Sequence, residues 1–310
     1  MIKLEVFGGL GNQLFEYAYA RSLSLEYNEP IVINKNVAML LLSKIRFPST
    51  GNTDYQLKYF NITDLKIQNP IIGFIQSIPP ALHACIHRIN QNDDKKMSNL
   101  FLKMTSKGKY YYADTATSRY FAHNCTNAKI KHIHGNFCSD KYFLKYEDII
   151  KKELSVTTEI SEANQLIIDE INNCNSVAVH FRRGDYVTEK KLAMSYDFCN
   201  ENYYLNGMNY IAERISNPIF FIFSNDINWV KNNIKSKHYI KYMENNNPGY
   251  EDLRLMYNCK HFIIANSTFS WWGSYLSNYN DKIIIAPDIW NKLYPNARDI
   301  YREDMILINV

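Results

Sequence analysis

Short apolar runs rich in β-branched residues alternate with longer helical patterns along this chain, and this alternation constrains the fold more than any other feature. The pattern is clearest after residue 160. Strands that alternate with helices over short links form parallel sheets covered by helices, so an α/β fold is predicted. The predicted strands there are 176–181, 219–223, 261–265 and 282–286, and the predicted helices are 161–171, 199–215, 227–234, 250–259 and 270–276.

The N-terminal part begins with the same pattern: a strand at 2–7, a helix at 12–27 and a strand at 31–33. Residues 35–125 are harder to assign, although 81–105 look mostly helical. At about 100–200 residues per domain, a chain of 310 residues fits two domains. Two such α/β units joined near residue 155 would form a cleft, where ligands usually bind.

Composition excludes several classes of protein. The net charge of +4 is too small to indicate nucleic acid as the main partner. No apolar run reaches the ~18–20 residues of a membrane span, and no signal-peptide pattern is evident. Six cysteines without a C-x-x-C pair favour free thiols in a reducing, cytoplasmic compartment. The basic residues between 101 and 132 favour a solvated face over a site for an anionic surface.

Three of the chain's 11 glycines, Gly8, Gly9 and Gly11, lie together between the first predicted strand and the first predicted helix. Glycine permits a positive φ and a close backbone approach, and a helix N-terminus offers N–H groups to an anion. A dinucleotide fingerprint would need a glycine at position 14 and an acid after the next strand, but Leu14 and Asn34 stand there. A loop that touches a sugar or phosphate is therefore favoured over a plain tight turn.

A second candidate segment, residues 180–187, leaves the end of the predicted strand 176–181. Side chains alternate along a strand, so His180 and Arg182 share one face. The arginine fork donates to two oxygens at once, which makes Arg182 and Arg183 natural partners of a diphosphate. The alternatives are a surface loop whose arginines pair with acids, and a core histidine with satisfied hydrogen bonds.

A third segment, residues 265–273, again passes from a strand into a helix. Its hydroxyls at Ser267, Thr268 and Ser270 suit either a helix cap or a phosphate site, and spacing alone does not separate the two. Ahead of it lies Asp252, whose carboxylate could accept both N1–H and N2–H₂ of guanine. Acids are also common at helix starts, so this signal is weak in isolation.

Metal motifs are absent from the sequence. The chain contains no Asp-x-Asp triplet, no His-Glu-x-x-His motif and no Walker lysine motif. A diphosphate leaving group would then be neutralised by arginine and helix ends. We therefore expect neither a metal nor a cofactor.

Four motifs, in order and spacing, resemble the α-1,2-fucosyltransferases of glycosyltransferase family 11 along nearly the whole chain. They are GGLGNQLF at 8–15, HFRRGDYV at 180–187, FSND at 223–226 and IANSTFSWWGSYL at 264–276. The bacterial branch, with roles in O-antigen biosynthesis, fits best, because the animal enzymes carry a Golgi membrane anchor that is not evident here.

The resemblance implies a GT-B fold of two Rossmann-like domains, an acceptor-side domain at 1–155 and a donor-side domain at 156–310. It implies inverting, metal-independent transfer of L-fucose from GDP-β-L-fucose to the 2-hydroxyl of a terminal galactose. Acceptors of this kind are often lipid-linked, so peripheral contact with the inner membrane belongs to the expectation. The rivals are a transferase for another GDP-sugar, such as GDP-mannose, and a non-catalytic nucleotide- or glycan-binding protein.

The resemblance also assigns roles to residues. Arg182 and Arg183 would hold the donor diphosphate, with Arg182 in a catalytic role. The further donor-site candidates are His180, Asp252, Asn266, Ser267, Thr268, Ser270, Gly9 and Gly11.

The general base is the least determined role. Asp185 is the first candidate, although it would equally orient one of the arginines. Asn12 would position the acceptor hydroxyl, or it simply caps the helix.

One stretch departs from the family pattern, which often reads G-Y-W-Q-S-x-K-Y-F. Here residues 135–143 read GNFCSDKYF, with Asn136 in place of an aromatic residue and Cys138 in place of glutamine. If this stretch forms part of the acceptor site, acceptor choice is expected to differ.

Overall fold

The computed structural model describes residues 1–35, 54–63, 65–69, 71–72, 109–113, 120, 129–188, 193–194, 196, 199–293, 295 and 298–310. The chain divides into two compact units. The first comprises Met1–Lys58 and Ile62–Glu153, and the second comprises Tyr59–Asn61 and Leu154–Val310. The predicted helix at 81–105 lies outside the described residues.

The first unit contains a parallel sheet with the strand order β3-β2-β1-β5-β4. Two neighbours flank β1, with Ile2 in register with Ile31 on one side and with Lys131 on the other. The elements of this unit are β1 (Ile2–Val6), α1 (Leu10–Tyr27), β2 (Ile31–Lys35), β3 (Lys66–Ile67), β4 (Lys109–Ala113), β5 (Ile130–His134) and α2 (Glu147–Glu153).

Helix α1 forms the centre of this unit's core, because most of its residues are buried rather than one stripe alone. Tyr19 packs its ring 4.5 Å from Phe137 and 4.8 Å from Tyr142, measured between centroids. The helix ends at Asn28, which adopts the left-handed conformation with φ 50° and donates its N–H to Ser24 O. Asparagine tolerates this conformation, so it stops the helix at little cost.

The prediction that the basic residues between 101 and 132 form a solvated face is wrong for Lys131. Its side chain is buried, its Nζ lies 2.8 Å from Glu29 Oε1, and it approaches the ring of Tyr27. A buried lysine needs such a carboxylate partner. Lys103, Lys107 and Arg119 lie outside the described residues.

The second unit contains another parallel sheet, with the strand order β11-β10-β9-β6-β7-β8. Helices connect most of its strands, as the α/β prediction requires. Its elements are α3 (Glu162–Asn173), β6 (Asn175–Phe181), α4 (Asp185–Thr188), α5 (Glu201–Ala212), β7 (Pro218–Ser224), α6 (Ile227–Asn233), β8 (Ile240–Tyr242), α7 (Gly249–Asn258), β9 (His261–Ile263), α8 (Thr268–Leu276), β10 (Ile284–Pro287) and β11 (Met305–Ile308).

Side-chain caps mark where three helices of the second unit begin. The side chains of Ser161, Asn200 and Asp226 each accept a backbone N–H three residues on, at the starts of α3, α5 and α6. Helix α8 packs so closely on α7 that a methyl group at Gly273 would overlap Sδ of Met256. The core between sheet and helices is formed by buried apolar residues that include Val177, Val179, Phe220, Ile222, Ile263 and Ile285.

Three residues from the N-terminal half belong to the second unit. Phe60 forms an antiparallel bridge with Val156. Asn61 N donates to Ser155 O at 2.9 Å, and Thr157 N donates to Tyr59 O at 2.9 Å. The ring of Tyr59 stacks on Tyr250, with centroids 3.9 Å apart. The sequence did not predict this excursion of the chain.

Candidate active site

The strand order of the second unit fixes where a ligand would bind. Strand β6 comes first in the sequence; β7 and β8 follow on one side of it, and β9 to β11 follow on the other. The direction of winding therefore reverses between β6 and β9. In doubly wound sheets the ligand crevice lies beyond the carboxyl ends of the strands at such a switch point. The two predicted segments, 180–187 and 265–273, lie at the carboxyl ends of these two strands.

The turn after β6 needs a glycine. Gly184 has φ +43°, and a methyl group there would overlap the side-chain amide of Asn225. Asn225 follows β7 directly, and its Oδ1 accepts the backbone N–H of Arg183 at 3.0 Å. The turn that carries the arginine pair is thus held by a neutral amide from the neighbouring strand.

Arg183 rests on an aromatic face. Its guanidinium carbon lies 3.6 Å from the ring centroid of Trp229, within the range of a strong cation–π contact. Its Nε lies 3.9 Å from Asp226 Oδ2, which is too long for a hydrogen bond. Among the described residues no acceptor bonds this Nε. Within the described residues, the charge is therefore held by the ring of Trp229 and not by a hydrogen-bonded carboxylate.

Arg182 also lies beside an aromatic ring. Its guanidinium carbon lies 5.1 Å from the ring centroid of Tyr186. Tyr186 stacks on Tyr196 and donates its hydroxyl to Asn266 O at 3.4 Å. This chain of contacts links the turn after β6 to the turn after β9.

His180 is buried near the end of β6, and its ring centroid lies 5.4 Å from that of Phe269. Burial, aided by the positive charge of Arg182, lowers the pKa of His180 to about 3. The ring is therefore neutral at physiological pH. No hydrogen-bond partner for Nδ1 is found in the part of the chain that the structure describes. An unsatisfied buried nitrogen at this position fits a ligand contact.

The polar side chains after β9 have two different surroundings. Asn266 is buried; it donates to Tyr196 O and Trp290 O and accepts from Cys199 Sγ. Ser270 is buried as well, and its hydroxyl donates within the same turn, to Ala265 O and Ser267 O. These two side chains hold the turn in shape. Direct contact of Asn266 or Ser270 with the sugar-nucleotide donor stays a prediction, and the burial of both side chains disfavours it.

Ser267 and Thr268 stand at the start of α8. Ser267 is the N-cap residue, but its side chain makes no capping hydrogen bond, and Thr268 is partly exposed. Two hydroxyls and the first N–H groups of a nine-residue helix therefore lie together at the switch point. Ser267 is itself buried, so Thr268 is the better placed of these two hydroxyls for a donor phosphate.

The two acids at the start of α7 differ in their surroundings. Glu251 is buried and accepts from Thr158 Oγ1 at 2.6 Å, and its Oε1 lies 3.5 Å from Nη2 of Arg254. It belongs to the interior. Burial raises the pKa of Asp252 to about 6; a hydrogen bond from Asn247 opposes the rise and Glu251 adds to it. Asp252 can therefore change charge at mildly acidic pH.

The glycine loop of the first unit follows β1. Gly8 has φ +76°, and Gly9 is the exposed N-cap of α1, with no atom within 4 Å of a methyl group placed on it. Gly11 is buried within the first turn of the helix, so ligand contact by Gly11 stays a prediction that its burial disfavours. Asn12 is partly exposed, and its Nδ2 would lie 3.1 Å from a methyl group on Gly8.

Two buried side chains, missed by sequence reasoning, support this loop. Gln13 donates to Gly8 O at 3.0 Å and to Asp54 O at 2.9 Å, and it accepts from Gln56 N. Glu16 accepts the N–H of Phe7 at 3.1 Å. Burial raises the pKa of the Glu16 carboxyl; the Phe7 N–H opposes this and Glu5 adds to it.

The segment that departs from the family pattern follows β5, the neighbour of β1, so it leaves the same sheet edge as the glycine loop. Phe137 is fully buried at φ 48°, a conformation that is strained for an aromatic residue. Asn136 Oδ1 is buried without a hydrogen-bond partner among the described residues. Strain and an unsatisfied polar atom both occur where the sequence is unusual.

Asp185 is the first residue of α4, directly after the glycine turn. Its side chain lies outside what the structure describes, so its role as base or as an orienting group stays a prediction. Within the described ranges, no group of three His, Cys, Asp or Glu side chains could hold a metal ion. No helix of the described chain is long and apolar enough to cross a membrane.

Comparison with known proteins identifies the family. The protein-family model described as "Glycosyl transferase family 11" matches residues 1–309. The chain belongs to glycosyl transferase family 11. An Escherichia coli protein named alpha-1,2-colitosyltransferase is 33% identical over 288 residues, which covers 91% of this chain and 90% of that protein. The Escherichia coli O-antigen biosynthesis glycosyltransferase WbnK is 26% identical, covering 91% and 92%.

One further relative and one solved structure extend the comparison. Mouse galactoside alpha-(1,2)-fucosyltransferase 1 is 26% identical over 160 residues, covering 48% of this chain and 42% of that protein. The structure of an Arabidopsis thaliana FUT1 mutant in complex with GDP aligns with a TM-score of 0.51 at 8% identity, covering 91% and 69%. The predicted fold class, α/β of the GT-B type with two Rossmann-like units, is confirmed.

Proposed function

We propose that this family 11 glycosyltransferase transfers L-fucose from GDP-β-L-fucose to the 2-hydroxyl of a terminal galactose, with inversion at the anomeric carbon. The observation that carries the proposal is the arginine pair at the switch point of the second sheet, with Arg183 held against Trp229. The mouse relative, named as a galactoside α-(1,2)-fucosyltransferase, supports the choice of sugar and linkage.

The proposed reaction is a single in-line displacement. The acceptor hydroxyl forms a bond to C1 of fucose while the bond from C1 to the diphosphate oxygen breaks, and GDP leaves with the electron pair. Negative charge grows on the β-phosphate, so cations already in position stabilise the transition state more than the ground state. Arg182 and Arg183 are proposed to supply this charge. The hydroxyl proton passes to a base, for which Asp185 is the first candidate.

Conservative substitution of the arginines tests the proposal. Lysine keeps the charge but loses the fork that binds two oxygens. We expect Arg182→Lys and Arg183→Lys each to lower kcat/KM for transfer by roughly 10²- to 10³-fold. Labelled fucose transfer to a panel of β-galactosides measures this and identifies the acceptor. Activity within a few-fold of wild type in both variants would contradict a bidentate phosphate role, and no transfer by wild type would favour a binding protein.

A second donor deserves a direct comparison, because the 33% identical relative is named as a colitosyltransferase and is covered over 90% of its length. Colitose is L-fucose without its 3-hydroxyl. A site that hydrogen-bonds a sugar hydroxyl rejects the analogue that lacks it by several orders of magnitude. We expect kcat/KM to be higher with GDP-fucose than with GDP-colitose, and the reverse order would assign this chain to colitose. GDP-mannose serves as the control nucleotide sugar.

The base is tested separately from the donor site. Asp185→Asn, measured with saturating donor, is expected to lower kcat and to remove the acidic limb of its pH profile. An unchanged profile would leave Asp185 as an orienting group.

Asn12→Ala is expected to raise KM for the acceptor more than it lowers donor affinity. A lipid-linked acceptor and peripheral membrane contact remain expectations, which flotation with anionic vesicles would test.

A further inference from the structure

The turns after β6 and β7 lie side by side at the carboxyl ends of these strands in the second sheet. Strands β6 and β7 are parallel neighbours, with Phe181 in register with Ser224. The next residues of the two strands therefore face each other. Arg183 and Gly184 come from one turn, and Asn225 and Asp226 come from the other.

Asn225 acts on the backbone of the arginine turn. Its Oδ1 accepts the N–H of Arg183 at 3.0 Å, and its Nδ2 lies where a side chain at Gly184 would be. Both contacts fix the backbone of the turn, and neither uses the guanidinium. An amide also provides this acceptor without adding a negative charge beside the two arginines.

Trp229 acts on the guanidinium itself. A stack on the indole face attracts the cation through the ring quadrupole and uses none of the five N–H donors of arginine. A bonded carboxylate would orient the group equally well, but it would occupy donors and cancel charge. Asp226 is the carboxylate near this guanidinium, but it caps α6 by accepting the N–H of Trp229 at 3.1 Å. Its other oxygen stays 3.9 Å from Arg183 Nε.

We infer that Trp229 and Asn225 are positioning residues of the donor site. The indole holds the guanidinium of Arg183 in a preset orientation, and the amide holds the turn that carries it. A diphosphate would then meet an arginine whose orientation is already fixed and whose N–H donors are not consumed by a carboxylate, which lowers the ordering cost of binding. This inference rests on the proposed function, because it takes Arg183 as a ligand of the donor diphosphate.

The test for Trp229 is a double-mutant cycle with GDP as the ligand, measured by calorimetry. Trp229→Leu is expected to weaken GDP binding by about 5- to 30-fold, the range of a partly to fully desolvated cation–π contact. Trp229→Phe keeps an aromatic face and is expected to restore most of the affinity. In an Arg183→Ala background Trp229→Leu is expected to change GDP affinity less than twofold, because its partner is gone.

The outcomes separate the two proposals. If Arg183→Ala weakens GDP binding but Trp229→Leu does not, the positioning inference fails and the proposed function stands. If Trp229→Leu weakens binding equally with and without Arg183, the indole acts through packing and the inference is also overturned. If wild type does not bind GDP, the proposed function itself fails.

Asn225 has its own matched pair of variants. Asn225→Ala removes the acceptor for the Arg183 N–H and is expected to weaken GDP binding by about 2- to 12-fold, as expected for one lost hydrogen bond. Gly184→Ala is expected to be more harmful to GDP binding in wild type than in the Asn225→Ala background, where the overlapping amide is absent. Equal losses in both backgrounds would overturn the role assigned to Asn225.

Discussion

The imidazole of His180 and the ring of Phe269 lie with their centroids 5.4 Å apart, and this contact joins the end of β6 to the start of α8. It covers the imidazole on a side where water would otherwise solvate a charged ring. Together with the neighbouring Arg182, this burial keeps His180 neutral. The residue that heads the arginine motif is therefore an uncharged hydrogen-bonding group.

Acid should destabilise the protein through His180. Its pKa is about 3 in the folded state and about 6.5 in the unfolded chain, so between these values the unfolded chain binds the extra proton. Stability is present above pH 6.5 and is lost as the pH falls toward 3, by on the order of 5 kcal/mol in total. His180→Gln is expected to flatten the fall of the thermal midpoint between pH 6.5 and 4.

Burial also lowers the pKa of the partly exposed His238, so His238→Gln is the matched comparison and should flatten the acid limb less than His180→Gln does. A thermal midpoint of His180→Gln that falls with acid as steeply as that of wild type would refute the neutral, buried state of His180.

GDP affinity should depend on the ionisation of Asp252. Burial raises its pKa to about 6, and only the carboxylate can accept both N–H groups of guanine. Affinity is therefore present above pH 6 and is lost below it, by up to tenfold for each pH unit. Asp252→Asn is expected to bind GDP roughly 10- to 100-fold more weakly at pH 8 and to lose this pH dependence.

Inosine diphosphate, which lacks the 2-amino group, is the matched ligand for this test. Wild type should bind it more weakly than GDP, and the asparagine variant should discriminate less between the two. Calorimetry at pH 5 and pH 8 measures both effects, and identical wild-type GDP affinities at the two pH values would exclude Asp252 as the guanine contact.

Alanine substitutions at Gly9 and Gly8 should separate function from folding. A methyl group at Gly9 meets no atom within 4 Å and the residue has φ −75°, so Gly9→Ala should cost less than about 1 kcal/mol of stability. If a substrate packs on this loop, transfer should fall at least tenfold while the thermal midpoint hardly changes. Gly8→Ala, at φ +76° and against Asn12, should lose about 1 kcal/mol or more of stability.

Full transfer activity in Gly9→Ala would show that the loop does not approach a substrate. A large fall in its thermal midpoint would mean that the exposed glycine is required for folding instead.

The stability of the first unit should fall as pH rises, through Glu16. Its carboxyl pKa is raised in the folded state by burial, so the folded chain keeps a proton that the unfolded chain releases near pH 4.5. The stabilisation is complete below pH 4.5 and is lost as the pH rises toward the folded pKa. Glu16→Gln keeps an oxygen for the Phe7 N–H and cannot ionise.

We expect the glutamine variant to match wild type at pH 4.5 and to be more stable at pH 8, as measured by denaturant unfolding. The exposed Glu26 offers a control, since Glu26→Gln removes a surface ion pair with Lys145 and should change stability little. A Glu16→Gln variant that is less stable than wild type at pH 8 would contradict the assignment.

The strands and the position of the arginine pair were predictable because their signals are local. A buried run such as Val177–Val179 marks a strand by composition, and the polar residues that follow it must lie at the strand's carboxyl end. The role of Asn225 depends instead on β7 pairing with β6. Neither segment alone indicates which strand will be its neighbour. Gln13 likewise bonds to residues about 40 positions away.

Burial explains why the surroundings of Asn266 and Lys131 differ from those predicted from the sequence. Asn266 has the chemistry of a ligand-binding residue, but Tyr196 and Trp290 use its amide within the fold. Lys131 looked solvated by composition, and its pairing with Glu29 depends on β5 lying beside β1. The partners of Asn266 and Lys131 are thus set by tertiary contacts, which the sequence around each residue does not indicate.

The bridge between Phe60 and Val156 has a practical consequence for dissecting this protein. The second unit is not a continuous stretch of sequence, since it includes Tyr59–Asn61. A fragment that begins at Leu154 would leave the backbone around Val156 without its hydrogen-bonding partners and the ring of Tyr250 without its stacked neighbour. Adding a peptide that spans residues 57–63 in trans should stabilise such a fragment, which makes the second unit suited to complementation rather than to simple truncation.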